Sequence, residues 1–221
     1  MLGRRKDKVD DLDAPVDADD VEPPSAGPRA NGPWDSTEKD VGGDSAYLDF
    51  GSLLILGRPG FNLQMPTDDD QGTIGSVVLV TENSGLELRA FADARSGGLW
   101  DAVRADLEEE AKRLDGEAQQ VDGPFGPELH IKVPVTLPEG EEGFQPTRII
   151  GIEGPRWMLR ATFLGQEALE PSDDSLLMQA LQDVVVVRGA DPRAPRDPLL
   201  VTIEEDLEPI EGSGGSENDS A

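Results

Sequence analysis

The sequence contains no cysteine, one histidine and one tyrosine among its 221 residues. The absence of cysteine excludes disulfide bonds, thiolate nucleophiles, cysteine zinc sites and iron–sulfur clusters. Because His130 is the only histidine, any histidine-dependent nucleophile or metal site would have to centre on it. Several common kinds of reactive centre are therefore excluded before any fold is considered.

Long hydrophobic runs are also absent, since no stretch approaches the roughly 18 uninterrupted apolar residues that a membrane helix needs. The amino terminus begins with a basic patch, Arg4, Arg5, Lys6 and Lys8, but an acidic run follows it instead of an apolar segment. No signal peptide is predicted from this pattern. We expect a cytoplasmic protein that does not bind membranes.

Positive charge is scarce, because 46 acidic residues face only 19 basic ones and the net charge is −27. The excess is not confined to the ends, since residues 46–189 alone hold 25 acidic and 11 basic side chains. A negative field repels phosphate backbones and attracts cationic surfaces. The charge therefore disfavours direct nucleic-acid binding and favours a basic protein partner.

Bulky apolar residues are concentrated in the middle of the chain. Residues 46–189 hold 42 of the 54 Leu, Ile, Val and Phe residues, and the ends are too polar and charged to bury a core of their own. The composition predicts a single domain over residues 46–203 between disordered acidic tails at residues 1–45 and 204–221. Trp34 is the only large aromatic in the first tail, where it is either solvated or docked on the domain or a partner.

Alternating and continuous apolar runs predict several strands. Residues 53–56 and 77–80 are continuous apolar runs bounded by turn residues, and residues 129–135 alternate with a polar face that includes Pro134. Two hairpins are predicted, one joining residues 74–81 to 86–91 and one joining residues 148–152 to 157–164. Residues 184–187 and 199–203 are predicted to add short strands.

Two segments have helical periodicity. Large side chains recur three or four residues apart from Leu99 to Leu114, after the glycines of Ser96-Gly97-Gly98. A second helix is predicted after Pro171, with Ser172 as its cap. The elements together predict an α+β fold, a mostly antiparallel sheet covered by two main helices.

This order of elements is similar to the Mog1/PsbP-like sandwich, in which a hairpin-rich sheet lies between helices, over roughly residues 57–189. Domains of that shape mostly serve as binding modules or accessory factors. The resemblance thus implies a topology and carries no activity with it.

A second resemblance rests on the basic start, the acidic tail, Tyr47-Leu48-Asp49-Phe50-Gly51, and Glu153-Gly154-Pro155-Arg156-Trp157-Met158-Leu159-Arg160 followed by Gly165. These segments resemble an uncharacterised family of actinobacterial cytoplasmic proteins, classed as a domain of unknown function. Members often lie near genes for deoxyuridine triphosphatase and a small OB-fold protein, which implies a link to nucleotide or nucleic-acid metabolism. No catalytic residues carry over from the resemblance.

Three arginines form the candidate binding face. If residues 156–160 are a strand, Arg156 and Arg160 share one face, and Arg148 on the partner strand lies near them. Three guanidinium groups on one sheet face would bind an anion or a carboxylate. The alternative is that they pair with local glutamates such as Glu153, Glu167 or Glu87, which is the commoner arrangement.

No other residue pattern predicts chemistry. His130 lies on the polar face of a predicted strand, where a surface role is favoured over a general base or ligand. Asp68, Asp69 and Asp70 lack the spacing of a calcium loop, and we predict neither a bound metal nor a cofactor. The glycine-bearing turns lack the residues of a phosphate-binding loop.

The sequence therefore predicts a non-enzymatic cytoplasmic binding or accessory module with a basic protein partner. One alternative is a nucleic-acid-associated factor that works through a basic protein or by acidic mimicry of a phosphate backbone. Another is an enzyme that uses the arginine face on an anionic metabolite. The oligomeric state is not indicated by any pattern.

Overall fold

Eleven strands and three helices form within the described residues, 29–67, 72–136 and 140–202 of the computed structural model. The strands are β1 (Trp34–Asp35), β2 (Tyr47–Asp49), β3 (Leu53–Leu56), β4 (Asn62–Gln64), β5 (Val77–Val80), β6 (Ser84–Ala92), β7 (Glu117–Gly123), β8 (Gly126–Thr136), β9 (Glu142–Gly154), β10 (Trp157–Gly165) and β11 (Val185–Val186). The helices are α1 (Leu99–Arg113), α2 (Gln166–Leu169) and α3 (Leu176–Asp183).

A seven-stranded antiparallel sheet in the order β4-β5-β6-β10-β9-β8-β7 organises the molecule. Both predicted hairpins are confirmed, since β5 pairs with β6 and β9 pairs with β10. The predicted strand over residues 129–135 is also confirmed as part of β8. Pro134 pairs only towards β9, because the pairing with β7 ends at Lys132, and a proline is tolerated where no second neighbour needs its missing N–H.

The two faces of this sheet carry separate apolar cores. One core includes Leu88, Leu159 and Phe163 of the sheet and packs against β3, β11 and α3. The other includes Leu129 and Met158, which pack against α1. The indole of Trp100 in this second core lies so close to Gly151 that a Cβ there would sit 2.0 Å from its ring, so the contact requires glycine.

A four-stranded sheet, β1-β11-β3-β2, covers the first core. The predicted strands at residues 53–56 and 184–187 are confirmed as β3 and β11. The β1–β11 pair is parallel, whereas the other pairs of this sheet are antiparallel.

Residues 29–45 belong to the folded body, which corrects the predicted start at residue 46. Trp34 and Asp35 pair with β11, and the buried Trp157 indole donates its N–H to Asp35 at 2.7 Å. Trp34 is thus a half-buried strand residue that docks on the domain, with the Lys39 ammonium 5.6 Å from its ring. A two-residue strand has no periodicity by which the sequence could show it. Residues 1–28 and 204–221 of the predicted tails lie outside the described residues.

Helix α1 starts where the glycines predict, after Gly98 in a left-handed conformation (φ 92°). Its first amides are capped by the Glu153 carboxylate of β9, which accepts from the N–H groups of Gly98 and Trp100 at 2.9 Å each. A carboxylate at this end also opposes the positive end of the helix dipole. One of the glutamates considered as an arginine partner is therefore a helix cap.

The cap of α3 is Ser175 and not the predicted Ser172. Ser175 is extended and its hydroxyl accepts from the Met178 N–H at 3.0 Å. Ser172 lies three residues earlier, in the exposed turn before the helix. Residues 198–202 form single bridges, Phe91 with Pro198 and Gly51 with Val201, in place of the predicted strand.

The structure confirms the mixed α+β class, with mostly antiparallel sheets and few helices. The Mog1/PsbP-like order stays a prediction. None of the helices formed by the described residues combines the length and apolar character needed to cross a membrane.

Candidate functional site

The strand register places the three predicted arginines in three different environments. Arg148 lies opposite Phe163 in the β9–β10 pair, whereas Arg160 lies opposite Gly151. Since the sheet alternates its faces every residue, Arg148 and Arg160 point to opposite sides. Arg156 precedes β10 and lies in the turn, with φ 63°. The predicted three-arginine face does not form, because the side chain of Arg148 lies on the other face of the sheet and Arg156 lies outside the strand.

Arg148 is part of a buried ion pair. Its Nε and Nη2 donate to the two carboxylate oxygens of Glu128 at 2.8 and 2.9 Å, and both residues are 2% exposed. The guanidinium also lies 5.4 Å from the centre of the Phe163 ring. Its Nη1 is buried with no hydrogen-bond partner in the part of the chain that the structure describes. Arg148, which the sequence predicts to contact a ligand, is thus paired with Glu128 inside the fold.

His130 joins the same group. Its Nε2 lies 2.6 Å from Oε1 of Glu128, and its side chain is 29% exposed. The imidazole lines a groove of about 540 Å³ between β7, β8 and α2, whose wall also includes Gln119, Lys132 and Leu169. Its position is half-buried in a groove and not fully on the surface. The Glu128 carboxylate also accepts two hydrogen bonds from Arg148. Because that carboxylate is held, it fixes the position of the imidazole.

Glu167 of α2 is buried at the edge of this group. It accepts a hydrogen bond from the Ser175 hydroxyl, and its own N–H bonds the Ser84 hydroxyl at 3.1 Å. Burial raises the pKa of Glu167 above its ordinary value, and the nearby Arg148 charge offsets part of that rise. The carboxyl group is therefore destabilised in its ionised form.

Arg160 faces α1 and lies directly opposite Arg89 of β6. The Glu87 carboxylate bridges the two, 3.5 Å from Arg89 and 3.7 Å from Arg160. Pairing of Arg160 with Glu87 is one of the local pairings considered as the alternative. Arg89 was missed, although the predicted strand over residues 86–91 contains it; its partner strand could not be known without the β6–β10 register.

Arg156 belongs to a second basic group. Its Nη2 lies 3.4 Å from the Gly189 carbonyl, and its own carbonyl accepts from Arg188 Nε at 3.1 Å. Burial lowers the pKa of Arg188, as does repulsion from Arg156 and Arg193, while Asp191 opposes the shift. Of the predicted set, Arg156 alone therefore lies among other arginines without a bridging glutamate.

No group of three or more His, Asp or Glu side chains is arranged to hold a metal ion among the described residues. Asp68, Asp69 and Asp70 lie outside those residues.

Comparison with known proteins gives one family. A family model described as "Protein of unknown function (DUF3710)" matches residues 32–209. No curated protein matches the chain significantly. A crystal structure of a protein from Bacteroides thetaiotaomicron VPI-5482 is similar over 63% of this chain and 46% of that one, with 13% identity and a TM-score of 0.37. This chain thus spans about half the length of that protein.

Proposed function

Since the chain belongs to the DUF3710 family of proteins of unknown function, we propose from its own geometry that it is a non-enzymatic cytoplasmic binding module whose acidic surface engages a basic protein partner. The surplus of exposed carboxylates on the folded body carries this proposal. The described residues hold 27 acidic and 15 basic side chains. A cationic partner gains both encounter rate and specificity from such a field.

Most of the basic side chains are already neutralised within the fold. Nine of the fifteen described ones lie within 4 Å of a carboxylate. Several of these pairs are partly buried and shield little of the outer surface. Many exposed acidic side chains therefore remain available to a partner.

One acidic patch stands out on the connection between α2 and α3. We define it as Leu169, Glu170, Asp173 and Asp174, all of them exposed. No basic residue occurs from residue 166 to residue 187, so nothing in that segment offsets these charges. Leu169 is 57% exposed and adds an apolar contact, which suits a partner that combines cationic and apolar side chains.

The contacts of His130 place it in a polar network within the fold. Nε2 of His130 is occupied by Glu128, and that carboxylate is occupied by Arg148. The imidazole thus belongs to a fixed polar network that joins β8 to β9.

Capture from native lysate on the immobilised full chain, at low and at high salt, tests the proposal. We expect retained proteins of high isoelectric point whose binding falls steeply as salt rises. The variant Glu170→Gln/Asp173→Asn/Asp174→Asn should lose most of this binding. The control Glu109→Gln/Asp115→Asn/Asp122→Asn changes the charge equally at exposed positions elsewhere and should lose much less.

Two results would overturn the proposal. Salt-insensitive retention of neutral or acidic proteins would contradict the role of the acidic surface. Turnover of a nucleotide or ester panel that His130→Ala abolishes would show an enzyme. Release of the captured basic proteins by duplex DNA would instead favour mimicry of nucleic acid.

A further inference from the structure

Three arginines converge where the β9–β10 turn meets the segment after β11. Arg188 donates through Nε to the Arg156 carbonyl and through Nη1 to the Asp191 carbonyl, at 3.1 Å each. Arg156 in turn reaches the Gly189 carbonyl with Nη2. These bonds use backbone acceptors, so they position the guanidinium groups without neutralising them. Arg193 extends from the same segment.

The charges of this arginine cluster, Arg156, Arg188 and Arg193, are offset only in part, by the nearby Asp191. In the described parts of the chain, none of the three guanidinium groups lies within 4 Å of a carboxylate. Arg188 is nevertheless only 8% exposed. Burial of a charge without a partner is costly, and the lowered pKa of Arg188 reflects that cost. In a chain with more than twice as many acidic as basic residues, the absence of a direct ion pair from these three described arginines is a feature of the site.

The backbone at Arg156 adds to this cost. Arg156 has φ 63°, a left-handed conformation that disfavours side chains other than Asn, Asp or Gly. The conformation orients its carbonyl towards Arg188. Strain of this kind is concentrated at binding sites, where the surrounding fold maintains it.

A cavity of about 200 Å³ opens beside the cluster. Arg188 and Arg193 line it, together with Ser52, Thr202 and the backbone at Gly51. Among the described residues, Nη2 of Arg188 makes no hydrogen bond, which leaves its donors available to a ligand. The volume is below the range of about 300–1,000 Å³ usual for drug-sized ligands, which restricts the occupant to a small group.

We propose that this cavity binds a small oxyanion of the phosphate class, held by Arg188 and Arg193, with Arg156 adding positive charge from the turn. Guanidinium forks match the oxygen geometry of phosphate, and the Thr202 hydroxyl can donate a further hydrogen bond. Asp191 also lines the cavity and reduces the local charge from three to two positive units. The ligand is either inorganic phosphate or a phosphomonoester whose remainder projects into solvent.

The net charge of the protein selects for a small anion. Repulsion by the distant carboxylates is screened beyond about 8 Å at physiological ionic strength, whereas the nearby guanidinium groups act at contact distance. A long polyanion such as nucleic acid would extend over the acidic surface and be repelled there. The site is therefore independent of the basic-partner function proposed above.

Titration of the full chain with inorganic phosphate, by calorimetry and by thermal shift, tests the site. Saturable binding should raise the melting temperature. Arg193→Gln removes an exposed arginine of the cavity and should weaken phosphate binding roughly tenfold or more. Arg196→Gln is the matched control, because Arg196 lies in the same segment and pairs with Asp106 at 2.7 Å, away from the cluster; its affinity should be unchanged.

Further titrations identify the source of the bound phosphate group and exclude a general effect of salt. A phosphomonoester that binds tighter than inorganic phosphate would assign the site to a metabolite, and equal affinity would assign it to the free ion. A thermal shift that chloride reproduces at the same ionic strength would overturn the proposal. So would Arg193→Gln binding phosphate as tightly as Arg196→Gln does.

Discussion

At the scale of single residues, the Glu128–Arg148 pair carries the clearest energetic consequence. Two charged groups at 2% exposure pair through two hydrogen bonds. Removal of one partner leaves the other charge buried, which typically costs about 3–5 kcal/mol, whereas replacement of both partners is often close to neutral. The pair therefore constrains the β8–β9 register more than it adds net stability.

We expect Arg148→Met to destabilise the protein by about 3–5 kcal/mol and the double variant Glu128→Met/Arg148→Met, which replaces both charges by apolar groups, to recover most of that loss. Denaturant unfolding of the two single variants and the double variant gives the coupling energy. Arg113→Met is the control, since the Arg113–Glu110 pair is exposed and should matter by less than about 1 kcal/mol. A double variant no more stable than Arg148→Met would contradict this account.

The raised pKa of Glu167 predicts that the stability of the protein depends on pH. Because its folded pKa is raised by burial, its contribution to stability is full below the ordinary pKa of glutamate and is lost as pH rises through the folded pKa. Glu167→Gln keeps an oxygen to accept from Ser175 and removes the charge. We expect its melting temperature to exceed that of the parent at neutral pH and the difference to vanish in acid.

The exposed neighbour Glu170 serves as the comparison for that measurement. Glu170→Gln should shift the melting temperature less than Glu167→Gln does, because Glu170 is exposed and charges in solvent contribute little to stability. A Glu167→Gln protein that melts below the parent at neutral pH would show that the Arg148 attraction outweighs burial.

The candidate arginines show how far residue-level prediction reaches. The β10 strand is predicted correctly, but the pairing of Arg160 with Glu87 depends on the β6–β10 register, because the two residues are distant in the sequence. The predicted position of Arg148 is wrong because the strand register was not known, and a shift of one residue moves a side chain to the other face of the sheet. Arg188 and Arg193 were missed because segments distant in sequence meet only after β11 joins its sheet.

At the scale of elements, α3 depends on a single cap. Ser175→Ala removes the acceptor of the Met178 N–H and also the donor to Glu167. Loss of a serine cap costs about 1 kcal/mol. We expect Ser175→Ala to lower unfolding free energy by at least that amount in denaturant melts, while Ser172→Ala changes it by less than about 0.5 kcal/mol. Equal effects of the two variants would contradict the assignment of Ser175, and not Ser172, as the cap of α3.

Elements differ in how visible they are in the sequence. Long periodic segments such as α1 and the β9–β10 hairpin were predicted because each has several turns or alternations of its own. β1 and α2 have two and four residues, too few for a period, and they form through contacts made elsewhere. Trp157, which donates to Asp35 of β1, is 122 residues away from it.

At the scale of the whole molecule, the fold class followed from the sequence because charge, apolar content and turn residues act over long segments. The division into two sheets did not, because it depends on which strands lie side by side. Both apolar cores share the backbone of β9 and β10, so disruption on one face is transmitted to the other through the strands themselves.

This shared sheet predicts one cooperative unfolding transition. Leu159→Ala in the first core and Leu129→Ala in the second each delete a fully buried side chain and should cost about 2–5 kcal/mol. Trp157 reports on the first core and Trp100 on the second, so fluorescence of Trp100→Phe and of the parent should follow far-UV circular dichroism in a single transition. Two separated transitions in either leucine variant would show instead that α1 and its core unfold independently of the sandwich of the two sheets. Coincident transitions, each shifted by both substitutions, follow only if the central strands couple the two faces.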